Sequence, residues 1–219
     1  MYRIVTGDKA YSSWSLRGWL LLAAFDLPFE DMPVRMYDPA FEVLKAEKAP
    51  ARTLPILEWE EDGTTKRVWD TMAIAETLHE RHPGAGIWPD DPDHRAVARS
   101  VAAEMHSSFA ALRGACPMNL HRAPAPLEAP PEGLDADVAR IAALWSWAVA
   151  QTGGPWLGGA AFSAADVFYA PVAFRFQEYA LSGPGTGAYI ARLLEHSAVQ
   201  QWIALAMADP RRLSLYDRE

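Results

Sequence analysis

The chain has 219 residues with 28 acidic and 20 basic side chains, and its formal charge of −8 argues against a nucleic-acid binder, which needs a basic face, and against docking on an anionic membrane. Half of the residues are hydrophobic and 22% are charged, the balance of a soluble globular protein long enough for one large domain or two small ones, with two as the working number. Cys116 is the only cysteine, which excludes an internal disulfide and a thiol-rich metal site and fits a reducing compartment. The apolar run from Trp19 to Phe25 is far too short to span a bilayer, and polar residues precede it where a secretory signal needs basic ones. A cytoplasmic, unprocessed chain is expected.

Tyr2 to Gly7 leans towards β structure and leads into Tyr11-Ser12-Ser13-Trp14-Ser15-Leu16-Arg17, a hydroxyl cluster where a strand hands over to a helix. The first N–H groups of a helix have no internal partner and carry the positive end of its dipole, so a Ser there helps to hold an anion such as a thiolate. Ser12 or Ser13 equally suits a plain N-cap. Pro28 helps to end this helix, Phe29 to Met36 reads as a second strand, and Ala40 to Ala49 reads as a short helix or irregular turn. Leu54 to Trp59 reads as a strand entered through Pro55, with Thr64 to Trp69 as its antiparallel partner and Asp62-Gly63 as the hairpin turn. Asp70 to Arg81 follows as a helix, with Ile74 and Leu78 one turn apart. The order β-α-β then β-β-α describes an α/β domain over residues 1–82, with helices covering a four-stranded mixed sheet.

Residues 83–92, with Pro83, Gly84, Gly86, Pro89 and Pro92, form a linker by composition. Residues 93–219 read as wholly helical. Val97, Val101, Met105 and Phe109 recur every four residues along one helix from about Asp93 to Gly114. A Pro-rich loop runs from Pro117 to Gly133, and Asp135 to Thr152 is the next helix. Ser163 and Asp166 sit as N-cap and N3 of a capping box, flanked by Phe162 and Val167 in the places of a hydrophobic staple. The helix behind that cap carries Phe168, Val172, Phe176 and Tyr179, too apolar a stripe for a surface helix, so it belongs at the centre of the helical domain. Two more helices, Gly187 to His196 and Val199 to Ala208, complete the chain.

Two further places carry chemistry. A cis bond before Pro55 would present the backbone of Leu54 to an extended peptide, whereas a trans bond would make it an ordinary strand entry. Asp70-Thr71 opens a helix directly after a strand: Thr71 is placed to receive a ligand carboxylate at the helix start and Asp70 to accept from a ligand ammonium, and both residues are also good caps. A free α-amino acid end carries both groups.

Taken together, the Ser-Ser helix start, Leu54-Pro55, Asp70-Thr71, the linker and the helical half with its Ser163 to Asp166 cap resemble the cytosolic glutathione transferase family over nearly the whole chain. The resemblance implies a thioredoxin-like N-terminal domain followed by an all-α domain, a cis proline at Pro55, glutathione as co-substrate and no metal, and a homodimer. The Ser12-Ser13 stretch is most similar to the zeta class, although Trp14 stands where that class has Cys and Arg52 where many members have Gly. By that match Ser12, then Ser13, are the hydroxyls that meet the glutathione sulfur, and Trp14, Leu54, Pro55, Asp70 and Thr71 surround the tripeptide. The implied reaction is attack of the thiolate on a small, largely apolar electrophile between the domains. Glu104, Met105, His106, Phe109 and Arg113 are candidate liners of that second site; Met105 and Phe109 equally suit the core, and Glu104 and Arg113 the surface. The same thiolate serves isomerase or lyase chemistry, and a chain that kept the fold and lost the chemistry would be a binding or scaffold protein. His79 and His82 have a metal-like spacing but lie near a helix C-terminus, where solvated histidines suit the dipole. Cys116 reads as a buried small side chain.

Overall fold

In the computed structural model, which describes residues 1–217, β1 (Tyr2–Thr6), α1 (Ser13–Ala23), β2 (Phe29–Pro33), α2 (Pro39–Glu47), β3 (Ile56–Glu61), β4 (Thr64–Trp69) and α3 (Thr71–Arg81) make the first of two units. The division falls between Ile87 and Trp88, inside the Pro- and Gly-rich segment. Arg218 and Glu219, the end of the expected helical domain, lie outside the described residues.

The sheet order is β2-β1-β3-β4, with β1 parallel to β2, antiparallel to β3, and β3 antiparallel to β4. This is a thioredoxin-like four-stranded mixed sheet. Alternation along β1 sends Ile4 and Val5 to opposite faces. Val5 joins Ala51 and Ile56 in a cluster with Leu44 of α2 packed against it. On the other face α1 lies against the sheet, and Gly18 is needed there, because a Cβ would collide with the Pro55 ring and come within 3.1 Å of Ile4 Cδ1. The Asp62-Gly63 turn has positive φ at both central residues, 50° and 69°, as a tight two-residue hairpin requires.

β2 is shorter than the expected Phe29 to Met36. Val34 N–H still reaches Thr6 O at 2.8 Å, but Met36 N–H turns to the Asp8 carboxylate at 2.8 Å instead of a strand neighbour. A long-range carboxylate thus ends the strand.

The second unit holds α4 (Pro92–Ser107), α5 (Ala110–Ala115), α6 (Leu134–Thr152), α7 (Ala164–Glu178), α8 (Thr186–Glu195), α9 (Ser197–Met207) and a 3-10 turn at Ser214–Tyr216. Every residue of α7 except Gln177 is buried, which puts this helix at the centre of its unit, and Tyr169 Oη donates to Val101 O at 3.0 Å to tie it to α4. The single helix expected from Asp93 to Gly114 is two helices. Ser108 is extended and Phe109 has φ +65°, a left-handed conformation that breaks the ladder. Arg113 seals the break by donating from its guanidinium to the Met105 and His106 carbonyls at the end of α4. A period of four read across this corner because Phe109, on the far side of the bend, is still buried. No described helix is long and apolar enough to cross a membrane.

Candidate functional site

The ladder register gathers three of the sequence motifs at one end of the first unit's sheet. Val5 near the exit of β1 pairs with Ile56 at the entry of β3, and Ile56 pairs with Trp69 at the exit of β4. The loop into α1, the Leu54-Pro55 segment and the start of α3 therefore leave the same edge. The Leu54–Pro55 bond is cis, as are Ala49–Pro50 and Gly154–Pro155.

Ser12 is the N-cap of α1. Its Oγ accepts from Ser15 N–H at 3.3 Å and donates to Ser15 Oγ at 2.7 Å, and it is 8% exposed. Ser13 is the first helical residue and is half-buried. Trp14, also half-buried, lies under the Arg17 guanidinium, whose carbon is 4.6 Å from the ring centroid. Arg17 itself is buried.

Three residues that sequence reasoning passed over hold this end of the sheet together. The backbone carbonyl of Asp8 accepts from Tyr11 N–H at 3.1 Å and Ser12 N–H at 2.9 Å, while its buried carboxylate takes Met36 N–H and Arg35. Ser15, fully buried, accepts from Gly7 N–H at 2.8 Å. Its spacing of three from Ser12 is the N-cap to N3 interval and was the available signal. Glu58, 1% exposed on β3, receives Lys48 Nζ at 2.8 Å and Arg67 Nε at 2.6 Å, and Arg67 also donates to the Lys48 and Ala49 carbonyls. Burial alone would raise the Glu58 carboxyl, but hydrogen bonds and charge from Lys48 and Arg67 together hold it below the usual carboxylate range. This clamp fixes the start of the loop that carries exposed Arg52, half-buried Leu54 and buried Pro55.

Asp70 caps α3, with Oδ1 accepting from Met72 N–H at 2.9 Å, and it does so at φ +73°, ψ +129°. An L-residue persists in such backbone only where its surroundings over-determine it, and such positions cluster at ligand clamps. Thr71 is 1% exposed, and its Oγ1 has no hydrogen-bond partner among the described residues. Most buried polar atoms are paired, so this hydroxyl stands out.

The candidates in the second unit scatter. Glu104 forms a bidentate ion pair with Arg140, at 2.7 and 3.0 Å, beside Trp147 on the wall of a cleft of about 430 Å³. Met105 is fully buried and Phe109 is 4% exposed, so both pack in the core. The His106 ring lies 6.0 Å from that of Phe168, and burial lowers the pKa of Arg113 at the helix break. His82, read as a solvated charge, instead shares a 2.8 Å hydrogen bond between Nε2 and the Tyr2 hydroxyl, because α3 ends over β1. Among the described residues no group of three or more His, Cys, Asp or Glu is placed to hold a metal ion. Cys116 is fully buried, and burial pushes its thiol up to about 11.

Residues 11–81 match the family described as glutathione S-transferase, N-terminal domain. The match begins in the Ser12-Ser13 turn and ends with α3, so it takes in every motif gathered at the sheet edge. Solved structures extend the likeness over both units. A glutathione transferase homologue from Burkholderia, with bound glutathione, is 20% identical and covers 95% of this chain and 99% of its own, with a TM-score of 0.69. A maleylacetoacetate isomerase from Anaeromyxobacter dehalogenans, with bound GSH in the active site, is 26% identical over 92% of this chain and 94% of its own, with a TM-score of 0.66. Glutathione transferase Omega 1C from Trametes versicolor is 16% identical over 94% and 95%, with a TM-score of 0.70. No curated protein matches the chain. The architecture is therefore that of a glutathione transferase: a thioredoxin-like domain followed by an all-α domain.

Proposed function

We propose that the protein is a homodimeric, cytoplasmic glutathione transferase that binds the tripeptide along the sheet edge and presents its thiolate, held by Ser12 or Ser13, to a small, largely apolar electrophile. The observation that supports this reading best is the register that sends the α1 start, Leu54-Pro55 and the α3 start out of one edge. Strands β1 and β4 are two inter-strand spacings apart, about 10 Å, and an extended tripeptide spans about 10 Å. The sulfur end then lies at Ser12-Ser13 and Trp14, the backbone of Leu54 beside Pro55 meets the middle, and Asp70 and Thr71 take the ammonium and carboxylate of the free amino acid end. The helical unit supplies the electrophile contacts, with Glu104 at the α4–α6 cleft and half-buried His106 as the candidates, while Met105 and Phe109 stay in the core and Arg113 in the helix break.

The chemistry needs no covalent nucleophile on the protein. A thiol with pKa near 8.5 is only about 3% ionised at pH 7, and the thiolate is the reactive form. Lowering that pKa by about two units takes roughly 2.7 kcal/mol, within the ~1.5–3 kcal/mol of a hydrogen bond to a charged group, and a helix start adds to it. Removing both hydroxyls, as in Ser12→Ala with Ser13→Ala, should lower conjugation at pH 7 by about twenty-five-fold, the ratio of the thiolate fractions, with partial recovery at pH 9. Conjugation at the wild-type rate in the double variant would remove the proposed donor.

Thr71→Val separates binding from folding. Deleting a buried hydroxyl that has no hydrogen-bond partner among the described residues removes an uncompensated desolvation cost, so the ligand-free variant should be more stable by about 1 kcal/mol in urea unfolding. Calorimetric titration should show glutathione bound about tenfold more weakly, the loss of one ligand hydrogen bond. Affinity equal to wild type would place the ligand carboxylate elsewhere.

The 26% identity to a maleylacetoacetate isomerase favours one second reading, in which the same thiolate adds reversibly and glutathione is regenerated. Product analysis with a cis-enone substrate distinguishes it from conjugation by whether glutathione is consumed. A chain that binds no glutathione in the same titration would be the scaffold alternative.

A further inference from the structure

The hydroxyl nearest the helix start is already committed. Ser12 has one hydrogen, and it is donated inward to Ser15 Oγ at 2.7 Å, while Ser12 Oγ accepts from Ser15 N–H at 3.3 Å. Ser15 Oγ accepts from Ser12 at 2.7 Å and from Gly7 N–H at 2.8 Å, which fills both of its acceptor sites, and Ser12 Oγ is the nearest hydroxyl partner it has. Both side chains are sequestered, Ser15 at 0% and Ser12 at 8% exposure, with Ser12 the outer of the two. The two oxygens are close enough to exchange donor and acceptor roles once the Ser15 side chain swings slightly to aim its hydroxyl at Ser12 Oγ.

We propose that Ser15 is a positioning residue for the thiolate: when Ser12 turns its hydrogen out to a bound glutathione sulfur, Ser15 turns its own hydrogen onto Ser12 Oγ. This inference rests on the functional reading above. No proton changes atoms, since each oxygen keeps its hydrogen and only the sense of one hydrogen bond reverses. After the reversal Gly7 N–H, the Ser15 hydroxyl and the Ser12 hydroxyl point head to tail at the sulfur. Aligned hydrogen bonds polarise one another, so Ser12 becomes a stronger donor to the anion than an isolated hydroxyl. Without the Ser15 hydroxyl, the outward turn of Ser12 would leave it with only the weak 3.3 Å bond from the backbone N–H of residue 15 behind it. The relay also selects between the two candidate hydroxyls, because Ser13 at the first helical position would donate with no help from Ser15.

The experiment is a pH titration of the glutathione complex followed by thiolate absorbance in the ultraviolet. In Ser15→Ala the bound thiol should titrate roughly half a unit to one unit higher than in wild type, a three- to tenfold loss of thiolate below both values, with the dissociation constant for glutathione within about twofold of wild type when measured well below both values, where the ligand binds as the thiol. Ser15→Thr, which keeps the hydroxyl, should restore the wild-type titration, and it preserves the test where the alanine variant folds poorly. Loss of packing alone would lower the melting temperature of both variants without moving the thiol titration in the folded complex. Identical thiol titration in wild type and Ser15→Ala, both with glutathione bound, overturns the relay. Wild-type protein that binds no glutathione overturns instead the functional reading beneath it.

Discussion

Asp166→Ala should destabilise the helical unit by about 3–5 kcal/mol, the largest effect expected of any single substitution away from the sheet edge. Asp166 is fully buried, and its carboxylate accepts four hydrogen bonds: from Leu157 N–H at 3.0 Å, Ser163 N–H at 2.9 Å, Ser163 Oγ at 3.2 Å and Tyr189 Oη at 2.9 Å. Those donors come from the 156–159 turn, the α7 cap and α8, so one side chain fastens three segments. Alanine would leave all four donors without an acceptor, and each buried unsatisfied group costs about 1–3 kcal/mol before the structure relaxes. Urea unfolding followed by tryptophan fluorescence reports the loss, since Trp145, Trp156 and Trp202 lie in this unit, with Trp14, Trp19, Trp59 and Trp69 of the first unit contributing to the same signal. Asp166→Asn, which keeps one carbonyl oxygen, should lose about half as much. A loss of only about 1 kcal/mol with alanine would show that the cap alone is what the carboxylate supports, and an unchanged midpoint would show that it supports neither the cap nor the three-way junction.

The second large effect is a pH dependence that belongs to Glu178 at the end of α7. Its Oε2 accepts from Asn119 N–H at 3.0 Å, its Oε1 has no hydrogen-bond partner among the described residues, and burial pushes its carboxyl up to about 7 against the pull of Arg175 and Arg122. A carboxyl whose folded pKa is raised above its unfolded value contributes stability that is fully present below the unfolded value and is lost as pH rises through about 7. Between pH 5.5 and pH 8 that loss is about 2 kcal/mol. His121 and His196 act in the opposite sense, because burial lowers both and their contribution is lost as pH falls through the ordinary imidazole range. The measurement is therefore the difference between wild type and Glu178→Gln across this range, which cancels the histidines. Wild type should lose its advantage over the variant on going to pH 8. Parallel stability curves for the two proteins would mean that Glu178 ionises in the folded state as readily as in the unfolded chain.

Glu178 also shows why part of this protein cannot be read along the chain. Nothing local to it signals a buried carboxyl; its partner Asn119 is 59 residues away, and Asn119 in turn reaches Asp217. The capping box at Ser163 and Asp166, by contrast, is visible in four residues, because both of its hydrogen bonds close within one helical turn. Even there the sequence shows only two of the four donors to Asp166. The donors from Leu157 and Tyr189 depend on how the turn and α8 pack.

The same division holds at the sheet edge. Hydroxyls at the α1 start, a proline entering β3, an Asp-Thr pair before α3 and the Asp62-Gly63 turn were all legible in sequence, since caps and tight turns are set by backbone needs within two to four residues. The cap itself proved to be Ser12, and Asp70 proved to be the cap of α3. Tertiary structure alone decided that β1 and β4 flank β3 in a register that brings those motifs to one edge, that Ser12 donates its hydrogen to Ser15, and that the Thr71 hydroxyl is buried with no hydrogen-bond partner among the described residues. It also decided the break at Phe109, which apolar periodicity runs through because burial on both sides of a bend preserves the pattern while the backbone changes hand. Local hydrogen bonding writes itself into short stretches of sequence; burial and the pairing of distant groups are properties of the packed chain, and the sequence carries them only as apolar residues that do not name their neighbours.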